Sequence, residues 1–341
     1  MIDRTSKTSS AGFYRRLMSG HGGFILRRTG GAIITALIAV SAVFWIIHIV
    51  PGDPAVAILS AGGDQSPSPQ AVERLRAELG LDKPLLQQFA TFLSNVLHGD
   101  LGRSFVTRRP VTQELMVRIP RTLQLAVPAM VLALVGGVLL GLISAAREGE
   151  WVDTTLTAVM SALFAVPVFV YAIAFGYIFS IQLGWLPVGR YVSPGTDFGN
   201  FLLRALLPIL SLSLMPMAVV ARTARTAVIE QRSQEYVKLA YSKGLSRRKV
   251  LLTHVAPNAM VPVTAVTGLQ FGQLLASSVL VEFAFNWPGL NLFMIQSIGQ
   301  RDYPAVIGVV VVISLAFVFV NLITDLLYGW LDPRVRNRSE G

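Results

Sequence analysis

Long apolar runs constrain this chain more than any other feature. They lie at about 31–50, 123–144, 154–181, 201–221, 259–283 and 304–328. Each is roughly 20 residues or longer, and at about 1.5 Å of rise per residue that length crosses a hydrocarbon core about 30 Å thick. Lipid cannot satisfy exposed backbone N–H and C=O groups, so such runs must be helical. Charged residues make up only 14% of the sequence, against roughly 25% in a soluble domain. The expected fold class is an all-α polytopic membrane protein with six transmembrane helices.

A net charge of +10 invites a nucleic-acid reading, but its distribution argues otherwise. Arg15, Arg16, Arg27 and Arg28 flank the first run, basic residues outnumber acids over 222–249, and Arg334, Arg336 and Arg338 crowd the C-terminal end. The short loops 182–200 and 284–303 carry one cation each, Arg190 and Arg301. Cations in short loops stay cytoplasmic, so both termini and the 222–258 loop are expected on the cytoplasmic side of a membrane, in contact with lipid and not with nucleic acid. The first apolar run is too long for a signal-peptide core and has no A-x-A site before Pro51-Gly52-Asp53-Pro54, so it reads as an uncleaved span. The chain then divides into a tail at 1–22, a membrane domain at 23–336 and a tail at 337–341.

Residues 51–120 form an external segment in this topology. Ser68-Pro69 reads as an N-cap and first-turn proline, with a short helix from Ala71 to Leu79 closed by Gly80. A second helix is expected from Pro84 to about His98, with Leu85, Phe89, Phe92, Leu93 and Val96 on one face and Gly99 ending it. The segment reads either as a cap over the bundle or as a docking surface for a soluble, substrate-bearing partner.

The stretch 235–262, EYVKLAYSKGLSRRKVLLTHVAPNAMVP, is a charged amphipathic island between apolar runs. Glu235 favours a helix N-terminus, Lys243 a C-terminus, and Gly244 can adopt the left-handed conformation that ends a helix. Ser246 can cap a second helix with Arg247 and Arg248 outward and Val250, Leu251 and Val255 inward, as far as Pro257. Its spacing resembles the EAA signature of ABC-importer permeases: Lys238-Leu239-Ala240, then Gly244, then His254-Val255-Ala256-Pro257, with Lys238, His254 and Ala256 departing from the usual letters. The A-x-x-K-G-L form with a later H-x-x-x-N resembles the dipeptide, oligopeptide and nickel branch. Gly99-Asp100-Leu101-Gly102 with Ser104, Pro110-Val111, Pro120, Thr122-Leu123 and Trp287-Pro288-Gly289-Leu290 extend the likeness over about 22–336.

That resemblance implies a type I ABC-importer permease fold. It implies a second homologous permease subunit, two ABC ATPase subunits that bind the ATP and Mg, and an external solute-binding protein, with no cofactor in this chain. The ATPase-coupling residues would be Glu235, Tyr236, Lys238, Leu239, Ala240, Lys243, Gly244, His254 and Pro257, with Ala240 and Gly244 keeping the bend slim. Substrates on this reading are di- or oligopeptides, with nickel complexes, glutathione or opines as alternatives.

Within the runs, Pro128, Pro167, Pro208, Pro216 and Pro262 each remove a backbone donor and allow kinks. Gly137-x-x-x-Gly141 reads as close helix packing; Gly268-x-x-x-Gly272 reads as packing or as part of a route through the membrane. Gln270, Gln273, Ser277 and Ser278, with Glu282 beyond them, are the expected lining of a translocation path. Glu282 reads equally as a gate or an interface anchor, Asp325 as a carboxylate that snorkels to the interface or pairs with a basic neighbour, and Arg204 as reaching lipid headgroups. No phosphate loop, H-E-x-x-H or G-x-S-x-G is present, and the chain has no cysteine. The sequence therefore points away from an enzyme. An ion-coupled secondary transporter would show repeats and midplane ionisable groups, and neither is seen.

Overall fold

The computed structural model describes residues 21–49, 55, 56, 59 and 68–331. The tails, Pro51-Gly52-Asp53-Pro54 and the cations at 15, 16, 334, 336 and 338 lie outside the described residues. Among the described residues every regular element is helical. In chain order these are α1 (His21–Ile49), α2 (Pro69–Leu79), α3 (Leu85–Leu97), α4 (Val111–Ala146), α5 (Trp151–Ala165) and α6 (Val168–Phe175), which runs into a π-helical stretch at Gly176–Gln182. Then follow α7 (Phe198–Arg232), α8 (Glu235–Ser242), α9 (Arg247–Val250), a π turn at Leu251–Val255, α10 (Ala256–Ala284), α11 (Leu290–Gly299) and α12 (Tyr303–Leu331).

Five helices are long and apolar enough to cross a membrane, and α5 with α6 and its π extension makes a sixth candidate. The third run is therefore not one straight helix over 154–181, because the pair is bent by 94°. Pro167 causes the break. Val166 before it is extended, as the residue preceding a proline prefers. The Leu163 carbonyl, which the missing Pro167 N–H would have served, accepts from the Tyr171 hydroxyl at 2.8 Å. Pro128, Pro208, Pro216 and Pro262, by contrast, sit inside continuous α-helices. The bent pair still joins opposite ends of the bundle: it starts beside Ser144 near the end of α4, and the loop after it reaches Gln124 near the start of α4.

Glycines set the closest helix contacts. A Cβ at Gly141 would lie 2.5 Å from the Ala221 carbonyl oxygen, and one at Gly137 would meet Val220 at 2.8 Å, so α4 and α7 pack backbone to backbone. Gly268 and Gly272 let the α10 backbone take the side chains of Thr324 and Phe317 of α12 against it. That pair forms a packing seam inside the subunit. On the outer side of α12 lies α1, tied by an Arg28 Nη1 to Asp325 Oδ2 ion pair of 2.9 Å, which is the pairing expected for Asp325.

The loops at 68–110, 183–197 and 285–302 gather at one end. Ser68 caps α2 through the Ala71 N–H, and Gly80 (φ 67°) and Gly99 (φ 76°) take the left-handed conformation after α2 and α3. Phe89 and Phe92 of α3 pack on Phe44 of α1, with centroids 5.3 and 5.5 Å apart. The second long helix starts at Val111, well before the apolar run at 123. The Val111 N–H bonds the Gly102 carbonyl, and the Thr112 hydroxyl bonds the Gly99 carbonyl. Ser104 donates to the buried Asp302 carboxylate at 2.5 Å, which also accepts from Phe105 N–H. The short strings before the second span thus lock one loop to another.

Candidate functional site

The 233–246 loop projects at the opposite end. Glu235 stands in the first turn of α8 and pairs with Lys238 at 2.7 Å, both exposed. Val237 and Ala240, three apart, point inward and join a cluster with Ala145 of α4, Ala227 and Val228 of α7, Val250 of α9, Val255 of the π turn and Ala259 of α10. Ala240 is therefore small because it packs against the bundle, and it does not shape an outer surface. Tyr236, Leu239 and Tyr241 face outward beside the exposed Glu235, Lys238 and Ser242.

Gly244 ends the loop's first turn with φ 82°, and a Cβ there would meet nothing within 4 Å. Lys243 occupies the C-cap position. Ser246 caps the next helix through Lys249 N–H, with Arg247 and Arg248 exposed and Val250 and Val255 buried, as the sequence predicts. The helix does not stop at Pro257. It widens into the π turn at Leu251–Val255 and runs on into α10, with Pro257 in that helix's first turn, where its missing N–H matters least. Asn258 donates to the His254 carbonyl at 2.8 Å and to the Tyr236 hydroxyl at 3.1 Å, and Tyr236 donates to Gln231 at 2.7 Å. The His254…Asn258 pair thus staples α8 to the base of α10.

The expected polar stripe on α10 splits in two. Gln270 and Gln273 bond each other at 3.1 Å and, with Ser277, occupy a partly open face. Ser278 and Glu282 point inside the subunit and do not line an open path. Glu282 is 0% exposed. Its Oε1 accepts from Thr122 at 2.7 Å, and its Oε2 accepts from the N–H groups of Asn291 and Leu292 at 2.9 and 3.0 Å. It caps α11 from across the Trp287-Pro288-Gly289-Leu290 turn, and in this arrangement its carboxylate is enclosed by protein. Asn291 adds bonds to Ser278 and to the Leu275 carbonyl. Gly289 is required because a Cβ would lie 2.5 Å or less from the Glu282 carboxyl group.

Arg204 also departs from expectation. Its Nη1 donates to the Gly189 carbonyl at 2.8 Å, pinning the 183–197 loop in place of reaching outward. In that loop Asp197 caps α7, and its hydrogen bonds from Asn200 hold its carboxyl below the usual range. At the opposite end Arg225 clasps Asp153 through two bonds of 2.7 Å, while Ser144 and the Gly149 N–H also bond Asp153. The sequence reading missed this network. A lone acid at the mouth of an apolar run, with an arginine near the end of another, was the available signal.

Comparison with known proteins places these features in context. Residues 137–337 match the family described as binding-protein-dependent transport system inner membrane component, and residues 22–126 match the N-terminal module of such membrane components. A glutathione transport system permease protein of Pectobacterium atrosepticum is 40% identical over 314 residues, 92% of this chain and 98% of that protein. A dipeptide transport system permease protein of Escherichia coli K12 is 36% identical over 339 residues, 93% of this chain and 99% of that protein. An inward-facing structure of the MetNI methionine ABC transporter shares the fold with a TM-score of 0.52 at 14% identity, covering 64% of this chain and 96% of that one.

Proposed function

The chain belongs to the binding-protein-dependent transport system inner membrane component family, the permeases of ABC importers, and from that premise we propose that it forms half of the path by which short peptides, dipeptides and glutathione among them, enter a bacterial cell. It is a transport component, not an enzyme. Its partners are a second permease, two ATPases that bind ATP and Mg, and an external binding protein. In this reading α8 faces the cytoplasm and the loop-rich end faces outside.

The observation that carries the reading is the construction of α8. One face of this short helix is exposed and presents Tyr236, Leu239 and Tyr241, and its other face joins, through Val237 and Ala240, a buried cluster that also holds residues of α4, α7 and α10. A push on α8 therefore reaches three spans at once. ATP shifts the permease only if the ATPase contacts it differently in its two states, and a helix rigidly seated on the bundle supplies such a contact.

Uptake tests the proposal. Cells carrying the complete system should accumulate labelled dialanine or glutathione in a vanadate-sensitive, ionophore-insensitive manner. Uptake abolished by ionophores and indifferent to vanadate would replace this reading with an ion-coupled transporter.

A further inference from the structure

We propose that a cavity at the loop-rich end, lined by Arg118, Arg190, Asn286, Phe293 and Gln296, binds the terminal carboxylate of a short peptide; this deepens the peptide-import reading and rests on it. The cavity holds about 240 Å³ and lies between the start of α4, the 183–197 loop and α11. The side chains of Arg190, Asn286 and Gln296 are exposed, and among the described residues no hydrogen bond or ion pair ties them to the protein. Arg190 (φ 51°) and Asn286 (φ 48°) both hold the left-handed conformation that non-glycine residues avoid.

The charges favour an anion. Arg118 lies over the Phe293 ring at 4.0 Å and pairs with Glu114, while Arg121 lies over Tyr191 at 4.9 Å. Glu282 stands behind Gly289 with its oxygens already bonded to Thr122 and to α11. Arg190 is exposed at the rim and has no acid paired with it among the described residues, which leaves its donor fork open to a carboxylate. The two free carboxamides can each donate to and accept from a peptide group. Tyr191, partly exposed, completes the lining on the 183–197 side. The volume suits the end of a small peptide and is too small for a folded protein element.

The test uses the full chain assembled with its second permease and ATPases in nanodiscs, without a binding protein, and reads saturation-transfer NMR with dialanine and with dialanine amide. Dialanine should bind, and removing its charge should weaken binding about tenfold or more, as expected for a charge-assisted contact. Arg190→Gly removes the guanidinium while relieving the positive φ, and should weaken dialanine to the level of the amide. Arg190→Lys should restore part of the signal. Arg301→Gly, at another positive-φ arginine of the same end (φ 57°) that does not line the cavity, should change nothing. Gln296→Ala serves as a second variant if Arg190→Gly fails to assemble, and should also weaken dialanine. Equal binding of acid and amide, or unchanged binding by Arg190→Gly, overturns the proposal. Dialanine uptake by intact cells together with unchanged binding in Arg190→Gly removes the cavity and keeps peptide import. Binding that needs both the carboxylate and Arg190, in a system that imports no peptide, supports the cavity and removes the peptide reading.

Discussion

Thr122 gives its hydroxyl proton to the Glu282 carboxylate across 2.7 Å while accepting the Leu290 N–H at 2.8 Å, so one side chain of α4 joins the end of α10 to the start of α11. The joint is fully buried, and removing its acceptor strands several donors at once. Each stranded donor costs about 1–3 kcal/mol. Glu282→Ala should therefore lower the melting temperature and yield of the detergent-solubilised protein. A path-lining role instead predicts normal stability with reduced uptake, and a thermal-shift assay beside an uptake assay separates the two.

Close packing at Gly141 predicts a sharp contrast between two glycines. Gly141→Ala drives a methyl against the Ala221 backbone, whereas a methyl at Gly30 would meet nothing within 4 Å. Overpacking of this kind costs about 1–3 kcal/mol. Thermal unfolding in detergent should show Gly141→Ala clearly destabilised and Gly30→Ala unchanged or slightly stabilised.

The Asp153–Arg225 clasp joins α5 to α7 at the end that carries α8. Asp153→Asn weakens two charge-assisted bonds, each worth about 1.5–3 kcal/mol at most. The variant should unfold at lower temperature, and a double-mutant cycle with Arg225→Gln should show positive coupling between the sites. Additive effects would mean that the clasp contributes nothing as a pair.

Local signals were the legible ones. Ser68, Gly80, Gly99, Gly244 and Ser246 act on backbone groups within a few residues, and each stands where the sequence places it. Glu235, Lys243 and Gly244 likewise outlined α8, whereas Pro257, expected to end the next helix, stands in the first turn of α10. Glu282, Ser278 and Arg204 were misplaced because their partners come from loops and helices remote in sequence or folded back beyond a turn. Helical period alone cannot say whether a polar residue faces a path or another helix. The break at Pro167 was legible only as a capacity to kink. What realises it there is the Tyr171 hydroxyl on the Leu163 carbonyl.

Orientation is testable because the chain contains no cysteine. In intact cells, with the outer membrane opened if there is one, a membrane-impermeant thiol reagent should label Ser68→Cys at the α2 cap and spare Ser246→Cys beside α9. The reverse labelling pattern would invert the bundle and place α8 outside.

Gly244→Val tests most directly whether the α8 loop is the seat of the ATPase. No atom crowds that position within the subunit, so the substitution acts through strain at φ 82°, about 1–2 kcal/mol, and through the surface offered to a partner. The measurement is ATPase co-purification with the tagged permease in mild detergent, normalised to permease level and read beside uptake. The account predicts a membrane-inserted permease at near-normal level whose bound ATPase and uptake fall together. An abundant Gly244→Val permease that retains its ATPase and transports at the wild-type rate would contradict it.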